Sequence, residues 1–208
     1  MYSNCKYSET AIKTISVVGL GYIGLPTAII AAQNGFLVHG YDIDKKRTDA
    51  IDSGDPFIQE PEIEKRLQQV LVLHRFSAST TLKEANCFIV AVPTPFKEEK
   101  KADLSYVYAA SKSIAKKLKT GNLVILESTI PVGTTEKVAK ILEEESGLKA
   151  SKDFFVAHCP ERVLPGKIFK ELVSNDRIIG GICKQATQKA VEFYEAFVKG
   201  KCYKTDAK

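Results

Sequence analysis

The chain has 208 residues, 44% of them hydrophobic and 26% charged. That is one ordinary globular domain, long enough to bury roughly 70% of its unfolded surface without disulfide or metal staples. A formal charge of +5, no Trp, and aromatics that do not alternate with Arg suit an anionic small molecule and argue against a base-stacking surface for nucleic acid.

The elements follow in chain order. Ile15 to Val18 is a compact β-branched run ending in glycine, a strand. Tyr22 to Asn34, rich in Ala and Ile, is a helix stopped by Asn34-Gly35. Phe36 to Tyr41 is a strand, Asp44 to Ser53 a short helix closed by Gly54, and Pro61 to Leu71 a helix with Ile63, Leu67, Val70 and Leu71 on one face. Phe76 to Ser79 and Asn86 to Val92 are strands, the second buried and ended by Pro93. A polar loop, PTPFKEEKKAD, follows. Leu104, Val107, Tyr108, Ser111, Ile114, Ala115 and Leu118 then repeat at helical steps. Asn122 to Glu127 is a strand, and Gly133 to Ser146 a helix with Val138, Ile141 and Leu142 inward. Phe154 to His158 and Arg177 to Ile179 are strands, Pro160 to Asn175 between them is loop-rich, and Lys184 to Val198 is the last helix. Alternating elements with apolar strands predict an α/β fold, a doubly wound, mostly parallel sheet covered on both faces.

The five cysteines are an odd number without C-x-x-C spacing. With Cys87, Cys159 and Cys183 in or beside apolar runs, they read as reduced, mostly buried thiols of a cytosolic protein, not as a disulfide or zinc framework. MYSNCKYSETAIK lacks the apolar stretch of a signal peptide, and no run of about 18 apolar residues predicts a membrane span. The basic runs Lys97 to Lys101 and Lys116 to Lys119 are interrupted by Glu98, Glu99 and Leu118, the pattern of a solvated face.

The strongest local motif is Gly19-Leu20-Gly21-Tyr22-Ile23-Gly24, between a strand and a helix. Gly19 permits the tight turn, Gly21 removes a side chain that would block a pyrophosphate, and Gly24 lets helix and strand pack closely. The helix N-terminus offers N–H groups to the phosphates. Asp42, at the end of FLVHGYD, is placed to accept hydrogen bonds from the adenosine ribose and to repel a 2′-phosphate, which selects NAD over NADP. Arg47 nearby complicates this, because an arginine can accommodate that phosphate.

Ligands of such sheets bind beyond the carboxyl ends of the strands. Pro93-Thr94-Pro95 fixes a loop that is either merely rigid or presents the Thr94 hydroxyl to the crevice. Ser128-Thr129-Ile130-Pro131-Val132-Gly133 is either a second anion or cofactor edge or a simple helix cap. In Cys159-Pro160-Glu161-Arg162, Arg162 can clamp a phosphate or sugar hydroxyl and Glu161 can handle a proton or order a water; a mutual salt bridge is the plainer alternative. His158 reads as a strand residue with a satisfied ring, and no metal-ligand spacing emerges.

Taken in order, ISVVGLGYIGLPTA, YDID, AVPTPF, LESTIPVGTTEKVA, HCPERVLPGK and NDRIIGG resemble the UDP-glucose/GDP-mannose dehydrogenase family over essentially the whole chain. Within it, CPERVLPG with ESTIPVGTTE before it is most similar to the branch that oxidises UDP-N-acetyl-D-mannosamine to its uronate. Relatives acting on UDP-N-acetylglucosamine more typically carry Ser and Asp in place of Cys159 and Leu164, and UDP-glucose enzymes a Glu in place of Pro165. The resemblance implies a Rossmann-like NAD-binding domain spanning residues 1–208, and a four-electron oxidation of a sugar C6 alcohol with two NAD and a cysteine thiolate. Gly19, Gly21, Tyr22, Ile23, Gly24, Asp42, Arg47, Thr94 and Thr129 would contact NAD. Glu161, Arg162 and Val163 would face the UDP-sugar substrate, and Thr129 and Glu161 would position the hydrolytic water. It also implies a cytoplasmic enzyme, a homodimer at full length, with no metal, nucleic-acid or membrane partner. The family's central dimerisation helix, its lysine and asparagine, and its nucleophilic cysteine find no match here, since members are roughly twice this length. The expectation is therefore an amino-terminal half, inactive alone. The alternatives are an NAD-binding module without turnover, half of a UDP-N-acetylglucosamine 6-dehydrogenase, or another dehydrogenase sharing only the first βαβ unit.

Overall fold

The computed structural model describes residues 12–97 and 101–207. Cys5 and the middle of the Lys97 to Lys101 run lie outside them. Eight strands form one sheet: β1 (Thr14–Val18), β2 (Leu37–Tyr41), β3 (Phe76–Ser79), β4 (Cys87–Val90), β5 (Leu123–Leu126), β6 (Phe155–His158), β7 (Arg177–Gly181) and β8 (Cys202–Asp206). Their spatial order is β3-β2-β1-β4-β5-β6-β7-β8. The first six run parallel in the order that binds dinucleotides at the switch between β1 and β4. β7 pairs antiparallel to β6, and β8 pairs parallel to β7.

The helices are α1 (Gly24–Gln33), α2 (Lys45–Ser53), α3 (Ile63–Val72), α4 (Ser105–Ala115), α5 (Thr134–Ser146), α6 (Ile168–Ser174) and α7 (Lys184–Glu195). They cover both faces. Ile15, Val17, Ile89 and Ile125 join residues of α1, α2, α3, α6 and α7 in one core. Val18, Val90, Val124 and Leu126 join α4 and α5 in the other. The alternation is the period of two expected of strands, with both sides apolar. α1 is buried along almost its whole length, Gly24 to Ala32, because its Ala and Ile residues are apolar all round. At α2, Asp44 caps the backbone N–H groups of Lys46 and Arg47, and Gly54 closes the helix at φ 101°.

Several expectations need correction. The stretch from Pro160 to Asn175 is not all loop: α6 lies within it and buries Ile168, Phe169 and Leu172. β7 continues to Gly181, and β8 is an additional strand, mostly exposed at the sheet edge. Leu118 lies beyond the end of α4, although it is buried. Ile141 and Leu71 are only half-buried. Cys87 and Cys159 are buried, whereas Cys183 and Cys202 are half-buried; all four are free thiols.

Candidate active site

Between β1 and α1 each glycine has its own reason. Gly19 has φ 94°, and a Cβ there would lie 2.8 Å from the Ala91 carbonyl oxygen. A Cβ on Gly24 would fall 1.8 Å from the Gly19 carbonyl oxygen. A Cβ on Gly21 would meet nothing within 4 Å, so the absent side chain leaves open space rather than relieving a clash inside the protein. Ile23, at the N-cap of α1, makes no side-chain cap. The first N–H groups of a helix have no partner within it, so this end is left for an anion.

Asp42 follows β2 and is 6% exposed. Its Oδ2 accepts from the Leu20 N–H at 2.9 Å and from Arg47 Nη1 at 3.0 Å, and its Oδ1 accepts from the Asp44 N–H at 3.0 Å. An ionised carboxylate has about four acceptor positions, so one remains for a ribose hydroxyl. Arg47 is the counter-ion of Asp42 and stacks over Phe57. Asp42 engages Nη1 alone, and Nε is buried without a hydrogen-bond partner.

These groups open on a cleft of about 320 Å³. Gly19, Gly21, Tyr22, Ile23, Asp42, Arg47, Thr94, Thr129 and Glu161 line it, together with Glu127 and Ser128. An adjoining hollow of about 380 Å³ is mostly apolar, with Ile43, Pro95, Tyr106 and Ala110 among its walls. It suits a flat heterocycle. The Thr94 hydroxyl donates to the Thr129 carbonyl at 2.8 Å, and the Ser128 hydroxyl to the Val92 carbonyl at 2.7 Å. These bonds lock the loops after β4 and β5 together. The capping alternative for Ser128 and Thr129 fails, since Gly133 occupies the N-cap of α5.

Three expected site residues lie outside the cleft. Gly24 is consumed in packing. Arg162 is exposed beside a separate hollow, its Nη2 donating to the Asp176 carbonyl at 3.4 Å. Val163 is half-buried against the core. The mutual Glu161–Arg162 salt bridge is also overturned. Glu161 pairs through Oε2 with the buried guanidinium of Arg177, 16 residues on, and accepts only the backbone N–H of Arg162 at 2.8 Å.

The cleft floor holds a network missed from the sequence. Glu127, 2% exposed, accepts from the Tyr194 hydroxyl at 2.8 Å and the Thr27 hydroxyl at 3.1 Å. Burial, with the neighbouring Glu161 charge adding to it, pushes its carboxyl up to about 7 against the pull of Arg177 and the two hydroxyls. Arg177 also donates to the Leu172 carbonyl and lies over the Tyr194 ring. The available signal was an acidic residue directly after the apolar run LVIL. His158 has its expected satisfied ring, Nε2 lying 3.3 Å from the Ser128 carbonyl, and burial lowers its pKa. Burial pushes the Cys159 thiol up to about 12, far from a thiolate at neutral pH. Among the described residues no group of three ligating side chains could hold a metal, and no helix is long and apolar enough to cross a membrane.

Strand order, the glycine turn after β1 and a carboxylate after β2 in one cleft define a dinucleotide-binding domain of the Rossmann class. The chain belongs to the UDP-glucose/GDP-mannose dehydrogenase family: that family's NAD binding domain matches residues 13–198. Its cofactor is NAD. A UDP-N-acetyl-D-mannosamine dehydrogenase of Pyrococcus horikoshii is 50% identical over 93% of this chain and 47% of its own length. The solved structure of such an enzyme from that organism superimposes with a TM-score of 0.90 at 49% identity, covering 93% of this chain and 47% of that one. An NDP-N-acetyl-D-galactosaminuronic acid dehydrogenase of Ralstonia solanacearum is 46% identical over 96% of this chain and 49% of its own length. The chain thus spans about half the length of the relatives it matches.

Proposed function

We propose that this chain is the NAD-binding half of a cytoplasmic UDP-sugar 6-dehydrogenase, which oxidises the C6 alcohol of UDP-N-acetyl-D-mannosamine to the carboxylate. The observation that carries this is the crevice itself. An open space at Gly21, an α1 without a side-chain cap and the buried Asp42 carboxylate stand beside Thr129 and Glu161 in one cleft. The sugar is supported by the UDP-N-acetyl-D-mannosamine dehydrogenases of Pyrococcus horikoshii and Campylobacter jejuni, 50% and 48% identical to this chain.

Bound NAD supplies the hydride acceptor. The turn from Gly19 to Ile23 holds its pyrophosphate against the start of α1, and Asp42 takes the adenosine ribose while Arg47 holds that carboxylate in place. Ile43 and Tyr106 line the hollow that takes the adenine. Thr129 and Glu161 hold the water of the hydrolytic step. Arg177 holds Glu161 in place and still leaves it lone pairs for that water. Arg162, free of Glu161, meets the sugar nucleotide, and Val163 anchors its loop to the core. The full-length assembly is a homodimer.

The test is an exchange. Residues 13–198 replace the matching half of the Pyrococcus horikoshii relative, and NADH formation is followed with UDP-N-acetyl-D-mannosamine, UDP-N-acetylglucosamine and UDP-glucose. NADH from the first sugar is the expected result. A folded, NAD-binding exchange protein that reduces NAD with none of them contradicts the proposal, and turnover of another sugar alone reassigns the substrate.

A further inference from the structure

The cleft floor carries a charge imbalance that cofactor holding does not explain. Two carboxylates, Glu127 and Glu161, share one buried guanidinium, and Arg177 is bonded to Glu161. Among the described residues, Glu127 has hydroxyl partners only, Thr27 on α1 and Tyr194 on α7. The other titratable groups around it are Cys87 on β4 and Cys159 beyond β6, both neutral thiols raised by burial. A buried carboxylate without its own cation favours the protonated form, and the raised value of Glu127 agrees with that geometry.

A dinucleotide lies across the crevice of a doubly wound sheet. With Asp42 after β2 taking the adenosine half, the other half falls at the ends of β4 and β5, where Glu127 lines the cleft. NAD and NADH carry the same pyrophosphate and differ by the positive charge of the oxidised nicotinamide ring.

We propose that Glu127 is a proton-linked sensor of the cofactor's oxidation state, giving up its proton when a cationic nicotinamide ring enters the crevice and keeping it beside a neutral reduced ring. This rests on the NAD-binding reading above. The Glu127 O–H bond breaks, its electron pair stays on the carboxylate, and the proton passes to solvent; nothing is oxidised or reduced. Glu161 cannot serve in its place, because it is already bonded to its own cation, Arg177. Oxidised cofactor therefore gains affinity as pH rises, and reduced cofactor does not.

The experiment is calorimetric titration of NAD and of NADH into the 208-residue chain, in buffers of different ionisation enthalpy, between about pH 6 and pH 8. NAD binding is expected to release roughly half to one proton near the lower end, with affinity rising by up to about tenfold per pH unit there. NADH binding releases none. Glu127→Gln is expected to bind NAD without proton release and with a flat pH profile. Equal proton counts for NAD and NADH in the unmodified chain overturn the proposal without needing any variant to fold, as does unchanged release in Glu127→Gln. Binding of neither nucleotide overturns the NAD-binding reading and the proposal with it.

Discussion

Gly21→Ala separates binding from folding. Gly21 is not among the glycines with positive φ, and an alanine Cβ there meets no atom within 4 Å. Stability should stay within about 0.5 kcal/mol of the parent, or rise by about 0.4–1 kcal/mol because alanine restricts the unfolded chain. The same methyl group projects into the space where a pyrophosphate must approach the start of α1. A hydrogen bond to a charged group is worth about 1.5–3 kcal/mol. Losing one lowers NAD affinity about 10- to 150-fold. Calorimetry gives the affinity, and thermal unfolding of the same sample gives the stability. A variant that folds normally and binds NAD as tightly as the parent refutes the cradle, and one that unfolds refutes the open geometry at Gly21.

Gly24→Ala should do the reverse. Its Cβ would fall 1.8 Å from the Gly19 carbonyl oxygen and 3.2 Å from the Ala91 Cβ, so urea unfolding should show a loss of about 3 kcal/mol. Asp42→Asn removes the counter-ion of Arg47; NAD affinity should fall about tenfold while the freed guanidinium narrows the gap to NADP, as read by parallel titrations. Glu127 should also leave its mark on the pH dependence of stability. Its folded value of about 7 lies above its ordinary 4.5, so between these the folded chain holds a proton that the unfolded chain has lost. Its contribution is full below about pH 4.5, declines as pH rises and is gone above about pH 7. At about 1.4 kcal/mol per unit the decline totals about 3 kcal/mol, and urea unfolding of Glu127→Gln should lack it.

Most of the sheet was legible because its strands are buried on both faces: runs such as ISVV, CFIV and LVIL have few other places to go. β8 was not, because CYKTD is an edge strand with an exposed surface and carries no apolar alternation. α6 was hidden by its brevity and by Pro165-Gly166 just ahead of it, although Ile168, Phe169 and Leu172 have helical spacing. At the site, the placement of the glycine turn and Asp42 on one cleft could be read because it is set by local geometry. The partners of Glu161 and Glu127 could not. Arg177, Tyr194 and Thr27 come from β7, α7 and α1, and only the assembled sheet with its helices brings them to one cleft floor. The same long-range folding gives Glu60, before α3, its task of accepting the Gly166 and Ile168 N–H groups at 2.8 and 2.9 Å.

The most direct test of an NAD-selective crevice is a pair of titrations of the unmodified chain with NAD and NADP, on protein shown to be folded by circular dichroism. The expected result is saturable binding of NAD, weakened by Gly21→Ala, with NADP markedly weaker because Asp42 faces its extra phosphate. Folded protein that binds neither nucleotide, or that takes NADP as tightly as NAD, contradicts it.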